Sequence, residues 1–150
     1  MTTASEALKA GWDAAFRNDY KTALKLWRPL AEQGNSDAQI SLGYVYLLGR
    51  EVKQDDAEAY FWYSLAAALK WNPLTSAFAD YQWPDPPTHD PITNKPIIVQ
   101  KPPTNEQEAA MVVETSVKEM GKRLTPEQKM AVDKRVADWL KDHPVPASKP

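Results

Sequence analysis

The strongest constraint on the fold is an internal repeat in the first half of the chain. Residues 23–31 (ALKLWRPLA) and residues 59–67 (AYFWYSLAA) align at an offset of 36. The matched positions recur at i, i+3, i+4, i+7 and i+8, which is the spacing of one helix face. A period in the thirties with two helices per unit predicts an all-α fold, a short α/α solenoid. The matched pairs are Ala23/Ala59, Leu26/Trp62, Trp27/Tyr63, Leu30/Ala66 and Ala31/Ala67, preceded at an offset of 31 by Ala7/Ala38 and Ala15/Tyr46.

The second unit, residues 37–70, resembles the Sel1-like repeats, which are relatives of the tetratricopeptide repeats. Its small and aromatic residues follow the pattern A…LG..Y..G…A..WY..AA. The resemblance implies two such repeats within residues 1–70 and, as in most members of the family, a non-enzymatic adaptor or scaffold role. The residues that carry it are Ala38, Leu42, Gly43, Tyr46, Gly49, Ala59, Trp62, Tyr63, Ala66 and Ala67.

The first unit, residues 4–34, follows the family pattern less closely. Trp12 stands where the second unit has Gly43, although the ending AEQG is again similar to the family. Pro29 lies inside the predicted second helix, where it removes the backbone hydrogen bond to Lys25 at a cost of about 3 kcal/mol. We therefore expect tertiary packing to hold this helix together.

Local signals mark the helix ends of the second unit. Asn35 or Ser36 is suited to cap a helix, and Gly49 to end it in a left-handed conformation. Asp55 is suited to cap the next helix, and Glu58 lies three residues on, as in a capping box. These signals predict one helix on each side of a short connection.

The chain after residue 104 is helical again, and residues 105–142 are predicted to form a C-terminal capping hairpin. Residues 125–128 (TPEQ) combine a Thr cap, a first-turn Pro and a Gln at the third position, which indicates a helix start. Residues 143–150 are expected to be disordered. The apolar stripes comprise Ala109, Val113, Val117, Met120 and Leu124, then Met130, Val132, Val136, Trp139 and Leu140. The cations of the last helix, which we interpret as a solvated face, are Lys129, Lys134, Arg135 and Lys141.

Residues 71–104 form a proline-rich insertion with no counterpart in the repeat, and they hold eight of the 13 prolines. A loop of this length is usually functional or disordered, but its aromatic residues favour packing. It either lies on the first helices of the repeats or stands away from them and extends their surface. The motif PDPP at 84–87 favours the first arrangement, because extended polyproline structure binds aromatic grooves. The predicted contact residues are Phe78, Tyr81, Trp83 and Asp85, with Asp85 approaching Arg17.

Composition argues against several classes of function. The net charge of −2 gives no footprint for nucleic acid or an anionic membrane, and no cysteine is available for a thiolate or zinc–sulfur site. The amino terminus has no basic stretch followed by an apolar one, so we expect no signal peptide and a cytoplasmic protein. Asp85, His89 and Asp90 lack a diagnostic metal spacing, and neither His89 nor His143 lies near a nucleophile motif. We therefore predict no cofactor, no metal and no catalytic residue.

The aromatic stripe Phe61, Trp62 and Tyr63 is interpreted as repeat core rather than as a ligand pocket, because the matched positions of the first unit are also apolar. Binding is instead expected on the concave surface, which the first helices of such solenoids line. The leading hypothesis is a protein-binding module that takes a peptide or partner protein there. The alternative is an enzyme or small-ligand protein with a site between the insertion and the solenoid. The partner and the oligomeric state stay open. The predicted partner-binding residues are Asp13, Arg17, Ser41, Tyr44 and Leu48.

Overall fold

The computed structural model describes residues 3–49, 51–71 and 106–143, and these residues form six helices and no strand. Each of α1, α2 and α3 packs on the next helix in the chain, and both α5 and α6 pack on α4. The fold is therefore the predicted all-α solenoid of two helix pairs with a C-terminal helical pair, while the predicted insertion lies outside the described residues. The helices are α1 (Ala4–Phe16), α2 (Tyr20–Glu32), α3 (Ser36–Leu48), α4 (Asp56–Ala68), α5 (Glu106–Gly121) and α6 (Pro126–Asp142).

The second helices of the two units, α2 and α4, begin in the same way. Asp19 and Asp55 are their N-caps, and each carboxylate accepts a hydrogen bond from the backbone N–H three residues on. The prediction that Asp55 and Glu58 form a capping box is wrong. The N–H of Asp55 donates instead to the carbonyl of Tyr46 at 3.0 Å, and the Glu58 carboxylate accepts from Arg135. Glu58 therefore links α4 to α6 rather than closing its own helix start.

The first helices end in the left-handed conformation that the sequence predicts for one of them. Asn35, rather than Ser36, caps α3, and Gly49 ends it with a φ of 70°. After α1 the corresponding residue is Asn18, with a φ of 62°. Asparagine tolerates this region better than most residues, so it can stand where the second unit has glycine.

A glycine–aromatic contact holds the two helices of each unit close together. A Cβ added at Gly43 would lie 2.7 Å from the ring of Tyr63, and one added at Gly11 would collide with the Trp27 indole. The Trp27 indole N–H also donates to the carbonyl of Leu8 at 3.3 Å. Only glycine leaves room for the aromatic ring at this crossing.

The aromatic stripe of α4 is core, as predicted. Phe61 is buried, Trp62 is only 7% exposed, and Tyr63 is half-buried against the core. Small residues lie between the large ones, so that the helices interlock. The other buried apolar residues are Leu8, Trp12, Ala14, Ala23, Leu24, Trp27, Ala31, Ala38, Leu42, Val45, Ala59, Tyr60, Leu65, Ala66, Val113, Met120 and Val132.

The C-terminal helices contribute apolar side chains to the core and also make polar contacts with α4. The Arg135 guanidinium lies 3.8 Å from the centroid of the Phe61 ring and donates to both carboxylate oxygens of Glu58. The Tyr60 hydroxyl donates to Asp133 at 2.9 Å. The α6 cations are exposed, as the interpretation of a solvated face predicts, but Arg135 also contacts α4. Met130 is 71% exposed, which corrects its assignment to the apolar stripe.

Candidate partner-binding surface

Three exposed large apolar side chains lie on the first helices of the two units. Phe16 is 46% exposed, Tyr44 is 52% exposed and Leu48 is 39% exposed. Asp13 and Arg17 are also exposed and lie one turn or less from Phe16 on α1. We call these five residues the first-helix surface. The other large exposed hydrophobic residues of the described chain are Met111 and Met130, on α5 and α6.

Phe16 is the member that sequence reasoning missed. It follows Asp13 by three residues on α1, and side chains at that spacing are neighbours on one helix face. The helical period starting from Asp13 was therefore the signal that could have found it. An aromatic ring at this position strengthens the apolar part of the surface.

Ser41 does not belong to the first-helix surface, which corrects its assignment from the sequence. It is only 5% exposed. Its hydroxyl accepts a hydrogen bond from the indole N–H of Trp12 at 3.0 Å and donates to the carbonyl of Asp37 at 2.9 Å. The hydroxyl therefore acts as both donor and acceptor. Its hydrogen bond with Trp12 links α3 to α1 beneath the surface and fixes the relative position of the two helices.

A second tie joins the end of α4 to the start of α3. The indole N–H of Trp71 donates to the Asp37 carboxylate at 2.7 Å. The backbone brings Trp71 there because Lys70 is left-handed, with a φ of 63°, and the Trp71 N–H bonds the carbonyl of Ala66 at 3.0 Å. This is the hydrogen-bond pattern of a Schellman motif, which turns the chain sharply at a helix end.

The phenol of Tyr63 on α4 lies near Tyr44 of the first-helix surface. Burial raises the pKa of the Tyr63 phenol above its ordinary value of 10.0, and the nearby Tyr44 adds to the shift. A phenol with so high a pKa stays neutral near pH 7, so Tyr63 is no candidate for a general base.

A polar cleft of about 400 Å³ lies where the α3–α4 connection meets the turn before α6. Several of its polar groups contact one another or the helix backbone: Asp56 accepts from Gln54 at 2.7 Å and pairs with Arg123 at 3.4 Å, and Asp55 caps α4. These groups therefore hold the connection and the turn in place. The lining residues are Lys53, Gln54, Asp55, Asp56, Ala57, Arg123, Leu124 and Gln128.

The described residues contain no group of three or more acidic or histidine side chains placed to hold a metal ion. No helix among them is long and apolar enough to cross a membrane. The sequence predicts no metal site at Asp85, His89 and Asp90. These three residues lie outside residues 3–49, 51–71 and 106–143. So do the predicted insertion contacts Phe78, Tyr81, Trp83 and Asp85.

Comparison with protein families agrees with the helix pairs. The Sel1 repeat model matches residues 6–35, which span most of α1 and α2, and again residues 36–70, which span α3 and α4. No curated protein and no solved structure matches the chain. Sel1 repeats generally mediate protein–protein interaction and are typically non-catalytic. Residues 6–70 of the chain are therefore two Sel1-like repeats.

Proposed function

We propose that the protein is a non-catalytic binding module that takes a peptide or partner protein on its first-helix surface. The observation that carries the proposal is the joint exposure of Phe16, Tyr44 and Leu48 on α1 and α3. Aromatic side chains are enriched at the centres of protein interfaces, where they supply large contact areas at a low entropic cost. Asp13 and Arg17 give this apolar centre a charged rim on α1.

The scaffold under the surface supports the same function. The Trp12–Ser41 and Trp71–Asp37 hydrogen bonds fix α1, α3 and the end of α4 relative to one another. A surface that is already ordered loses little conformational entropy on binding, so more of its contact energy contributes to affinity. The α/α scaffold therefore suits a partner that docks against existing side chains.

A displayed library of random peptides tests the proposal. Peptides selected on the wild-type protein are expected to bind Tyr44→Ala/Leu48→Ala at least roughly tenfold more weakly, a loss of about 1.4 kcal/mol or more. Met111→Ala/Met130→Ala is the matched control, because it removes two exposed apolar side chains from α5 and α6. Thermal melts establish that both variants fold.

The control pair should bind the selected peptides as the wild type does. If the selected peptides bind Tyr44→Ala/Leu48→Ala with unchanged affinity, the first-helix surface is not the binding site. If the control pair loses binding instead, the site lies on the C-terminal helices.

A further inference from the structure

The outer face of α2 carries a line of three cations. Lys21, Lys25 and Arg28 are spaced i, i+4 and i+7, so they lie on one side of the helix over about 10 Å. All three are exposed, and none forms an ion pair with an acidic group of the described residues. We call these three residues the α2 stripe.

Five cations of the C-terminal half differ from the α2 stripe, because each forms an ion pair. Each of the five ion pairs in the described part of the chain uses a lysine or arginine of α6 or of the turn before it. Such pairing is the usual way a surface balances its charges. Among the described residues, the three cations of the α2 stripe have no such pair. The pairs are Lys122–Glu119, Arg123–Asp56, Lys129–Asp133, Lys134–Asp138 and Arg135–Glu58.

The α2 stripe opposes the stability of its own helix. Lys21 and Lys25 repel each other at i, i+4 spacing, and Lys21 lies in the first turn, beside the positive end of the helix dipole. The carboxylate beside Lys21 is that of Asp19, whose hydrogen bonds with Thr22 hold its pKa below the ordinary value, helped by Arg17 and Lys21. That carboxylate is already used as the N-cap of α2.

A second local rule is broken on the same face. Pro29 is exposed, and α2 continues through it to Glu32 without the backbone hydrogen bond that an amide at this position would give to Lys25. Residues that oppose local stability without a structural gain are expected at functional sites. Two such departures on one face of one helix therefore point to a role for that face outside the fold.

One end of the α2 stripe is held in place by the neighbouring repeat. The Arg28 guanidinium donates to the hydroxyl of Tyr46 on α3 at 3.3 Å. Beneath the stripe, Leu24 and Trp27 are buried and fix the helix itself. The cations thus project from a rigid support, which lowers the entropic cost of ordering them against a partner.

We propose that the α2 stripe docks an acidic segment of a partner protein, with carboxylates placed along about 10 Å of its length. Charge complementarity selects carboxylates. A nucleic acid fits less well, because Glu32 is exposed one turn beyond Arg28 and would face a continuous phosphate backbone. The chain as a whole is also acidic, with a net charge of −2. This site is separate from the first-helix surface and does not depend on it.

The test uses an alanine-based helical peptide with three Glu residues at i, i+4 and i+7, labelled for fluorescence anisotropy. Wild-type binding should weaken as salt rises from roughly 50 to 300 mM, because the contacts are exposed charges. Lys21→Glu/Lys25→Glu should bind at least roughly tenfold more weakly. Lys118→Glu/Lys141→Glu, which makes the same charge change on α5 and α6, should bind as the wild type does.

Thermal melts separate loss of binding from loss of folding. Lys21→Glu places a favourable charge at the start of α2, so its melting temperature should rise by about 1–4 °C while its binding falls. Equal binding by wild type and Lys21→Glu/Lys25→Glu, or an equal loss in the control pair, would overturn the proposal. Tighter binding of a 20-bp DNA duplex than of the peptide, lost in the stripe variant, would assign the face to nucleic acid instead.

Discussion

Gly43→Ala tests whether the close crossing of α3 and α4 holds the second repeat together. The added Cβ would lie 2.7 Å from two ring atoms of Tyr63 and 3.3 Å from the carbonyl oxygen of Ala59. Carbon atoms prefer separations of about 3.5–4.0 Å, so the ring has to move by roughly 1 Å. The Ala59 carbonyl belongs to the α4 backbone, so part of that movement has to come from the helix itself.

Two opposing contributions to the free energy of unfolding decide the stability of Gly43→Ala. Alanine is the better helix former by about 1 kcal/mol, which favours the variant. Overpacking a well-filled site typically costs about 1–3 kcal/mol. Gly43 belongs near the upper end of that range, because an aromatic ring and a backbone carbonyl are crowded at once. We therefore expect Gly43→Ala to lower the free energy of unfolding by about 1–2 kcal/mol, and the melting temperature by several degrees.

Urea denaturation with Gly121→Ala as the matched control measures this difference. A Cβ at Gly121 would meet Tyr60 at 3.4 Å and Lys129 at 3.5 Å, which are ordinary contacts. Gly121→Ala should therefore be neutral or stabilising by up to about 1 kcal/mol. If Gly43→Ala stabilises the protein as much as Gly121→Ala does, the helix crossing is not tight and the reasoning is refuted.

Two further changes test the packing of α4. Trp62→Ala should lower the free energy of unfolding in urea melts by about 3–5 kcal/mol. Trp62→Phe should lower it clearly less, because the buried indole N–H has no acceptor among the described residues. A Trp62→Ala variant as stable as the wild type would contradict the place of Trp62 in the core. Arg135→Ala should lower the free energy of unfolding by about 1–2 kcal/mol, because the contacts with Glu58 and Phe61 are lost. Lys134→Ala loses only an ion pair within α6, so its free energy of unfolding should stay within about 0.5 kcal/mol of the wild type. Equal losses in the two would show that Arg135 adds little to the contact between α6 and α4.

The repeat and its helix ends could be predicted because their signals are local. A cap or a left-handed stop depends on residues within one turn, and Asn35, Gly49 and Thr125 do what their sequence contexts indicate. The core face of α4 was also predictable, because Ala59 and Trp62 recur at helical spacing against the first unit. These predictions need only the sequence of one helix and of the matching helix in the other repeat.

The contacts that the sequence did not predict join residues far apart in the chain. Tyr60 bonds Asp133, 73 residues later, and Glu58 bonds Arg135, 77 residues later. A cation on an amphipathic helix looks solvated until the partner helix is known. Ser41 was misplaced for the same reason, since its burial depends on the indole of Trp12, 29 residues earlier.

The composition of α2 and α4 explains why neither proposed binding site uses α4. Helix α4 (DAEAYFWYSLAAA) is apolar on nearly every side, and a helix of that kind must be covered all round. Helix α3 covers one side, and α5 and α6 cover the other. Helix α2 is amphipathic, with its apolar side on α1 and α3 and its charged side exposed. Helix α4 is therefore internal to the fold, and a partner that needs an open helix face finds it on α2 and on the exposed sides of α1 and α3.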